Sequence, residues 1–220
     1  MQHVHCSLIP MMVEMLKILT LEIVRMSSHN LRIVIDGNIG SGKTTQLKLL
    51  SEMGFTVQCE PIDEWPLEQF YEDKHRWAFL LQMSILRSFV KYGKSSDVWE
   101  RSPESSKDVF WRMLRSEGIG TDDENTVYNF FYEQNAWKPD VHVYIQTDPD
   151  ECFRRLSNRY QPGDSTISRE YLQKVHTFYE DYINQSSVNI IDGNQPPEKI
   201  HEDIKNAITM FRSHKKWDQM

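Results

Sequence analysis

A chain of 220 residues, 39% hydrophobic and 26% charged, has apolar material for one core of ordinary size and little left for a second. Its formal net charge of -7 repels polyanions, which excludes duplex nucleic acid as a natural partner but not a small phosphorylated ligand held by a few local cations. Cys6, Cys59 and Cys152 are too widely spaced for a disulfide framework or a zinc site, so the composition points to a reducing, cytoplasmic compartment rather than to secretion.

In residues 1–30 the apolar stretch from Leu8 to Val24 is interrupted by Glu14, Lys17 and Glu22, so it offers no membrane span. A basic start and a small-residue cleavage site are missing, and the two glutamates argue against a mitochondrial transit peptide. Met11, Met15, Ile18 and Leu21 can share one stripe of an amphipathic helix. The segment is expected to be an appendage, with Met26 as a candidate alternative start, and His3, His5 and Cys6 read as terminal residues rather than metal ligands.

From Leu31 onward short apolar runs alternate with longer amphipathic stretches, the pattern of parallel strands joined by helical crossovers. Strands are predicted at Arg32–Ile35, Thr56–Cys59, Asp97–Trp99, Val141–Gln146 and Val188–Ile191. Helices are predicted at Thr44–Met53, Lys74–Tyr92, Pro103–Glu117, Glu124–Trp137, Pro149–Asn158, Ser168–Gln185 and Pro196–Phe211. The expected fold is α/β, a five-stranded parallel sheet flanked by helices and spanning residues 31–220, with ligands at the carboxyl ends of the strands.

Gly37-Asn38-Ile39-Gly40-Ser41-Gly42-Lys43-Thr44 fits G-x-x-x-x-G-K-[ST] between a predicted strand and a predicted helix. The glycines let successive backbone N–H groups turn inward, and the following helix adds its positive end to the anion hole. Lys43 would neutralise the β and γ phosphates of ATP, the Thr44 hydroxyl would ligate Mg²⁺, and Thr45 extends the cradle. By itself the motif gives nucleotide binding and leaves GTPase, ATPase and small-molecule kinase open.

Two further strand ends carry charge: Cys59-Glu60-Pro61-Ile62-Asp63-Glu64-Trp65 after the second strand and Glu100-Arg101-Ser102 after the third. A carboxylate there can take a proton from an attacking hydroxyl, an arginine can hold developing phosphate charge, and a second carboxylate can hold Mg²⁺ through water.

Gly-Asn-Ile-Gly-Ser-Gly-Lys-Thr, then Glu-Pro-x-x-x-Trp, then a long helix with a glutamine, then Glu-Arg-Ser, resembles the deoxynucleoside kinases related to deoxycytidine, deoxyguanosine and mitochondrial thymidine kinases, over most of the chain from Leu31. The resemblance implies the P-loop kinase fold with a lid, and ATP-dependent phosphorylation of the 5′-hydroxyl of a deoxynucleoside. It implies Glu60 as general base, Arg101 assisting it, Thr44 and Glu100 serving Mg²⁺, and a nucleoside pocket of Trp65, Tyr71, Gln82, Ser106 and Phe110. Its lid implies Arg155 and Arg159 over the ATP phosphates and Asp164 near the sugar, whereas Arg154 reads as a solvated helix-end charge. Gln161 stands where the family has another lid arginine, and Phe89 and Ser106 stand where the deoxycytidine and deoxyguanosine kinases have an Arg and Asp pair. With Ile85, these departures lead to an expectation of thymidine and deoxycytidine as substrates. A homodimer is the family expectation. A thymidylate kinase would need an arginine site for the acceptor phosphate, and a non-catalytic nucleotide-binding relative would tolerate loss of Lys43 or Glu60, which this sequence retains.

Overall fold

Five short runs come together as one all-parallel sheet in the computed structural model, which describes residues 31–93, 96–159 and 167–217. The strands are β1 (Ile33–Gly37), β2 (Val57–Gln58), β3 (Val98–Glu100), β4 (Val141–Gln146) and β5 (Asn189–Asp192), in the spatial order β2-β3-β1-β4-β5. Helices α1 (Lys43–Glu52), α2 (Leu67–Glu72), α3 (Lys74–Tyr92), α4 (Pro103–Ser105), α5 (Arg112–Ser116), α6 (Asp122–Asn135), α7 (Pro149–Ser157), α8 (Arg169–Ile183) and α9 (Pro197–Trp217) connect and cover them.

β1 is the central strand and is apolar on both faces because both faces are covered. Ile33 and Ile35 pack with Leu47 and Leu50 of α1 and with Ile200, Ile204 and Ile208 of α9. Val34, on the opposite face, meets Phe89 of α3 and Trp99 of β3. The spacing of the three isoleucines of α9 is one helical stripe, so a single face of a largely polar helix carries its attachment. Chain direction across the sheet reverses at β1, which lies between β3 and β4; the carboxyl ends of β1, β3 and β2 therefore stand side by side.

Three departures from the predicted elements have physical causes. The helix expected over 103–117 is not uniform: residues Ser106–Trp111 form a π-helical segment between α4 and α5. Wide turns of this kind are frequent at functional sites, and here the segment places Ser106 and Phe110 on the wall of one cavity. α6 begins at Asp122, ahead of the predicted start at Glu124, because Thr121 and Glu124 form a reciprocal capping box, with Glu124 N donating to Thr121 Oγ1 at 3.1 Å and Thr121 N to Glu124 Oε2 at 2.7 Å. α2 was not expected; Pro66 opens it and it buries Phe70 against Ala78 and Leu81 of α3. Expectations placed on residues 1–30 and on Gln161 and Asp164 lie outside the described residues. Among the described residues no helix is long and apolar enough to cross a membrane.

Candidate active site

The phosphate loop runs from the end of β1 into α1, and its glycines are needed where the chain packs tightly. Gly40 has φ of 81°, and a Cβ there would approach the Cys152 carbonyl oxygen to 2.7 Å. Asn38 turns its side chain into the protein, where Nδ2 donates to the Leu172 carbonyl at 2.9 Å and Oδ1 accepts from Ile39 N at 2.8 Å. Its side chain thus pins the loop to α8, and only its backbone is left for a ligand. Gly37 and Ser41 are likewise buried, whereas Ile39, Gly40, Gly42, Lys43, Thr44 and Thr45 line a cavity of about 1470 Å³.

Lys43 is buried at the start of α1, with Nζ donating to the Asn38 carbonyl at 2.9 Å and lying 3.8 Å from Glu100 Oε1. Burial and then the Arg101 charge pull its pKa below the ordinary 10.5, against the opposing pull of Glu100 and Glu60. An anion delivered to this loop would relieve both effects.

Arg101 follows β3 with φ of 64°, the one described non-glycine residue with positive φ. This backbone sends its side chain back under the sheet end. Nε donates to Glu60 Oε1 at 2.8 Å, and Nη1 donates to the Gly37 carbonyl at 3.0 Å and to the Tyr179 hydroxyl at 2.8 Å. Its guanidinium carbon lies 4.6 Å from the centre of the Phe110 ring. Burial raises the Glu60 carboxyl above its ordinary 4.5, Arg101 opposes that, and the nearby Glu100 adds to it; the net direction is upward. Cys59, next to it and exposed on one side, is also pushed up by partial desolvation, with Glu100 and Glu60 adding to the effect.

Beyond Glu60 the same cavity is lined by Trp65, Tyr71, Gln82, Ile85, Phe89, Ser106 and Phe110. Gln82 is 3% exposed, and its Oε1 has only a long contact, 3.5 Å, with the Ser106 hydroxyl. Trp65 Nε1 donates to Ser88 Oγ of α3 at 2.9 Å, which fixes one wall. The neighbouring Glu64 ties the same loop to α3 through Lys91 at 2.7 Å and Arg87 at 3.3 Å.

At the opposite rim, Arg155 of α7 donates to the Ser41 carbonyl at 3.2 Å, to Gly193 at 2.8 Å and to Glu151 at 2.7 Å, and Arg159 also lines the cavity. Arg154 is 65% exposed and pairs with Glu151. Among the described residues no three His, Cys, Asp or Glu side chains gather as a metal cage. Oxygen donors near Lys43 include the exposed Thr44 hydroxyl and the Glu100 carboxylate.

All the sequence-derived candidates within the described residues therefore meet around one cavity, apart from the inward-turned Asn38 and the buried Gly37 and Ser41. Sequence reasoning missed the residues behind Arg101: Asp36, His142 and Tyr179. Tyr179 OH donates to Asp36 Oδ1 at 2.5 Å, and Asp36 Oδ2 lies 3.2 Å from His142 Nε2. The available signal was Asp36 itself, an acid inside an apolar strand directly before the glycine loop.

The deoxynucleoside kinase family model matches residues 33–213. A putative kinase protein, 029R, of invertebrate iridescent virus 3 is 32% identical over 185 residues, covering 80% of this chain and 95% of its own. A probable deoxycytidine kinase of fowlpox virus is 30% identical over 174 residues, covering 71% of this chain and 73% of its own. In fold, a deoxyadenosine kinase from M. mycoides superposes with a TM-score of 0.72 at 21% identity, over 81% of this chain and 98% of that one. The chain belongs to the deoxynucleoside kinase family, and it is a kinase.

Asp36 yields a pH test. Burial disfavours its ionised form, but the hydrogen bond and charge of His142 and the charge of Arg101 outweigh it and hold the carboxyl at about 2, below the ordinary 3.8. A depressed folded-state pKa stabilises the fold above the unfolded value, and that stabilisation disappears as pH falls through the folded value. Urea melts of native protein and Asp36→Asn should differ by ~2 kcal/mol at neutral pH, with the gap closing between pH ~4 and ~2. A gap of the same size at both ends of that range would contradict the assignment.

Proposed function

We propose that the chain transfers the γ-phosphoryl group of ATP to the 5′-hydroxyl of a pyrimidine deoxynucleoside. The observation that carries this reading is one continuous cavity with the phosphate loop at one end and Glu60, held by Arg101, facing a buried amide and aromatic wall at the other. Glu60 takes the hydroxyl proton, Arg101 holds that carboxylate and the approaching phosphoryl charge, and Lys43 leaves its backbone contact for the β and γ phosphates. Backbone N–H groups of Gly40 and of Gly42 to Thr45, which line the cavity, cradle the phosphates, and Arg155 and Arg159 close over them.

Mg²⁺ fits the oxygen donors present: the Thr44 hydroxyl and the Glu100 carboxylate would hold it, with phosphate and water completing the set, as this ion prefers. When bound it supplies neutralisation of the phosphate charge. Trp65, Tyr71 and Phe110 form the walls for base and sugar, Asp164 serves the sugar, and Gln82 reads the base by donating and accepting through one amide. Ser106, which replaces an acid, and the bulk of Ile85 and Phe89 favour a pyrimidine over a purine; the relative named a deoxycytidine kinase supports the same direction. The catalytic unit is residues 31–220, with residues 1–30 an appendage. Free Cys59 and Cys152 fit a reducing, cytoplasmic setting.

A homodimer is supported by exposed Leu80 and Val90 on α3 beside exposed Phe130 and Phe131 on α6, an apolar face that a second copy would cover. Sedimentation at micromolar concentration should give a dimer, and a monomer there would overturn this part.

Glu60→Gln and Lys43→Ala should each lower kcat at least about a hundredfold. Because only ionised Glu60 accepts a proton, native kcat/KM should fall on acidification through a pKa above the ordinary 4.5. Retained turnover in either variant would refute the roles given. In a steady-state comparison of the four deoxynucleosides with ATP, thymidine and deoxycytidine should lead; purines turned over as efficiently would remove the pyrimidine preference.

A further inference from the structure

Tyr179 and Asp36 do not line the cavity, yet they are joined to its reactive end. Tyr179, on α8, is fully buried, and so is Asp36, at the end of β1. The direction of every bond between them is fixed by chemistry. A guanidinium only donates and an ionised carboxylate only accepts, so the Tyr179 hydroxyl accepts from Arg101 Nη1 at 2.8 Å and spends its single proton on Asp36 Oδ1 at 2.5 Å. Asp36 Oδ1 also accepts from Gly37 N at 3.0 Å, while the Gly37 carbonyl accepts from the same Arg101 Nη1 at 3.0 Å. One closed set of bonds thus links the first glycine of the phosphate loop to the arginine that holds Glu60. The far side of Asp36 is fixed by His142 Nε2 at 3.2 Å.

Resting on the reading of Glu60 as base and Arg101 as its partner, we propose that Tyr179 and Asp36 are positioning residues for phosphoryl transfer, clamping Arg101 so that Glu60 and the phosphate loop keep one mutual register. The clamp is required because Arg101 holds a backbone conformation with φ of 64°, which side chains with a Cβ rarely adopt. Glu60 is partly exposed at 22% and can hold Arg101 from one side only, whereas the buried phenol holds it from the other. The anionic Asp36 polarises the Tyr179 O–H bond and strengthens its oxygen as an acceptor for Arg101. A phenylalanine would keep the ring, which packs on Tyr144 at 5.1 Å and edge-on to Phe110 at 6.1 Å, and would lose only the clamp. Such a change displaces a reacting group without removing it, so it acts on turnover more than on nucleoside binding.

The test is a double-mutant cycle on the full chain, with ATP and thymidine as substrates and circular dichroism melts as the folding control. Tyr179→Phe should lower kcat about ten- to a hundredfold with little change in the thymidine KM. In an Arg101→Lys background the same substitution should cost less than about twofold, because the interaction it removes is already gone. Folded Tyr179→Phe with native kcat, or an equal fold loss in both backgrounds, would overturn the proposal and leave Tyr179 a packing residue. If Tyr179→Phe does not fold, Asp36→Asn, which keeps the side-chain size, is judged by the same criteria. Inactive Glu60→Gln beside a fully active Tyr179→Phe removes this inference alone; a fully active Glu60→Gln removes the reading beneath it.

Discussion

Arg101 is buried at the end of β3 in a backbone conformation that costs on the order of 1–3 kcal/mol for a residue with a Cβ. A buried guanidinium is tolerated only when its donors are met, and here Nε and Nη1 reach Glu60, Gly37 and Tyr179. Each of those acceptors comes from a different part of the fold: the segment after β2, the end of β1, and α8. The arginine therefore ties together the pieces of chain that form the reactive end of the cavity. Removing any one partner leaves a buried guanidinium donor short of an acceptor and loosens the arginine's hold on the other pieces.

The sheet order makes this possible. With β3 between β1 and β2, the glycine loop, Arg101 and Glu60 emerge in a row from neighbouring carboxyl ends. Helix α1 then brings Lys43 within 3.8 Å of Glu100, so a cation and two carboxylates stand within a few side-chain lengths of one another, partly shielded from water. In such surroundings the charges are strongly coupled: burial pulls Lys43 down and Glu60 up, each towards its neutral form. Arrival of phosphate restores charge balance on one side, and the carboxylate is left poised to accept a proton on the other. Chemistry of this kind needs positioning more than reactive groups, which matches a site built from backbone N–H groups, one lysine and one tethered arginine.

The sheet, the phosphate loop and the carboxylate pair were legible because each couples a local rule to a chemical residue. An apolar run followed by glycines and a lysine has few structural interpretations, and Glu60 and Arg101 stand at the ends of such runs. The residues behind Arg101 were not legible for the same reason in reverse. Tyr179 lies 143 positions from Asp36, and in an amphipathic helix a tyrosine reads as ordinary core. Asp36 stands one residue past the predicted strand, and its partner His142 lies on the neighbouring β4, 106 positions away and two residues before the Tyr144 that faces Asp36 in register. The π-helical turn at Ser106–Trp111 escaped because its residues fit an α-helical pattern equally well, although the segment places Ser106 and Phe110 on the cavity wall together. The capping box that starts α6 was present in the sequence as Thr121 and Glu124, and outweighs the apolar pattern that begins later.

The destination of the transferred phosphoryl group is the most direct measure of what this assembly does. With γ-labelled ATP and thymidine, phosphorus NMR of the products should find the label on the 5′-oxygen of thymidine monophosphate, in equal amount with ADP. Label recovered only as inorganic phosphate, or on the 3′-oxygen, would contradict a site built around Glu60 as the base for a 5′-hydroxyl.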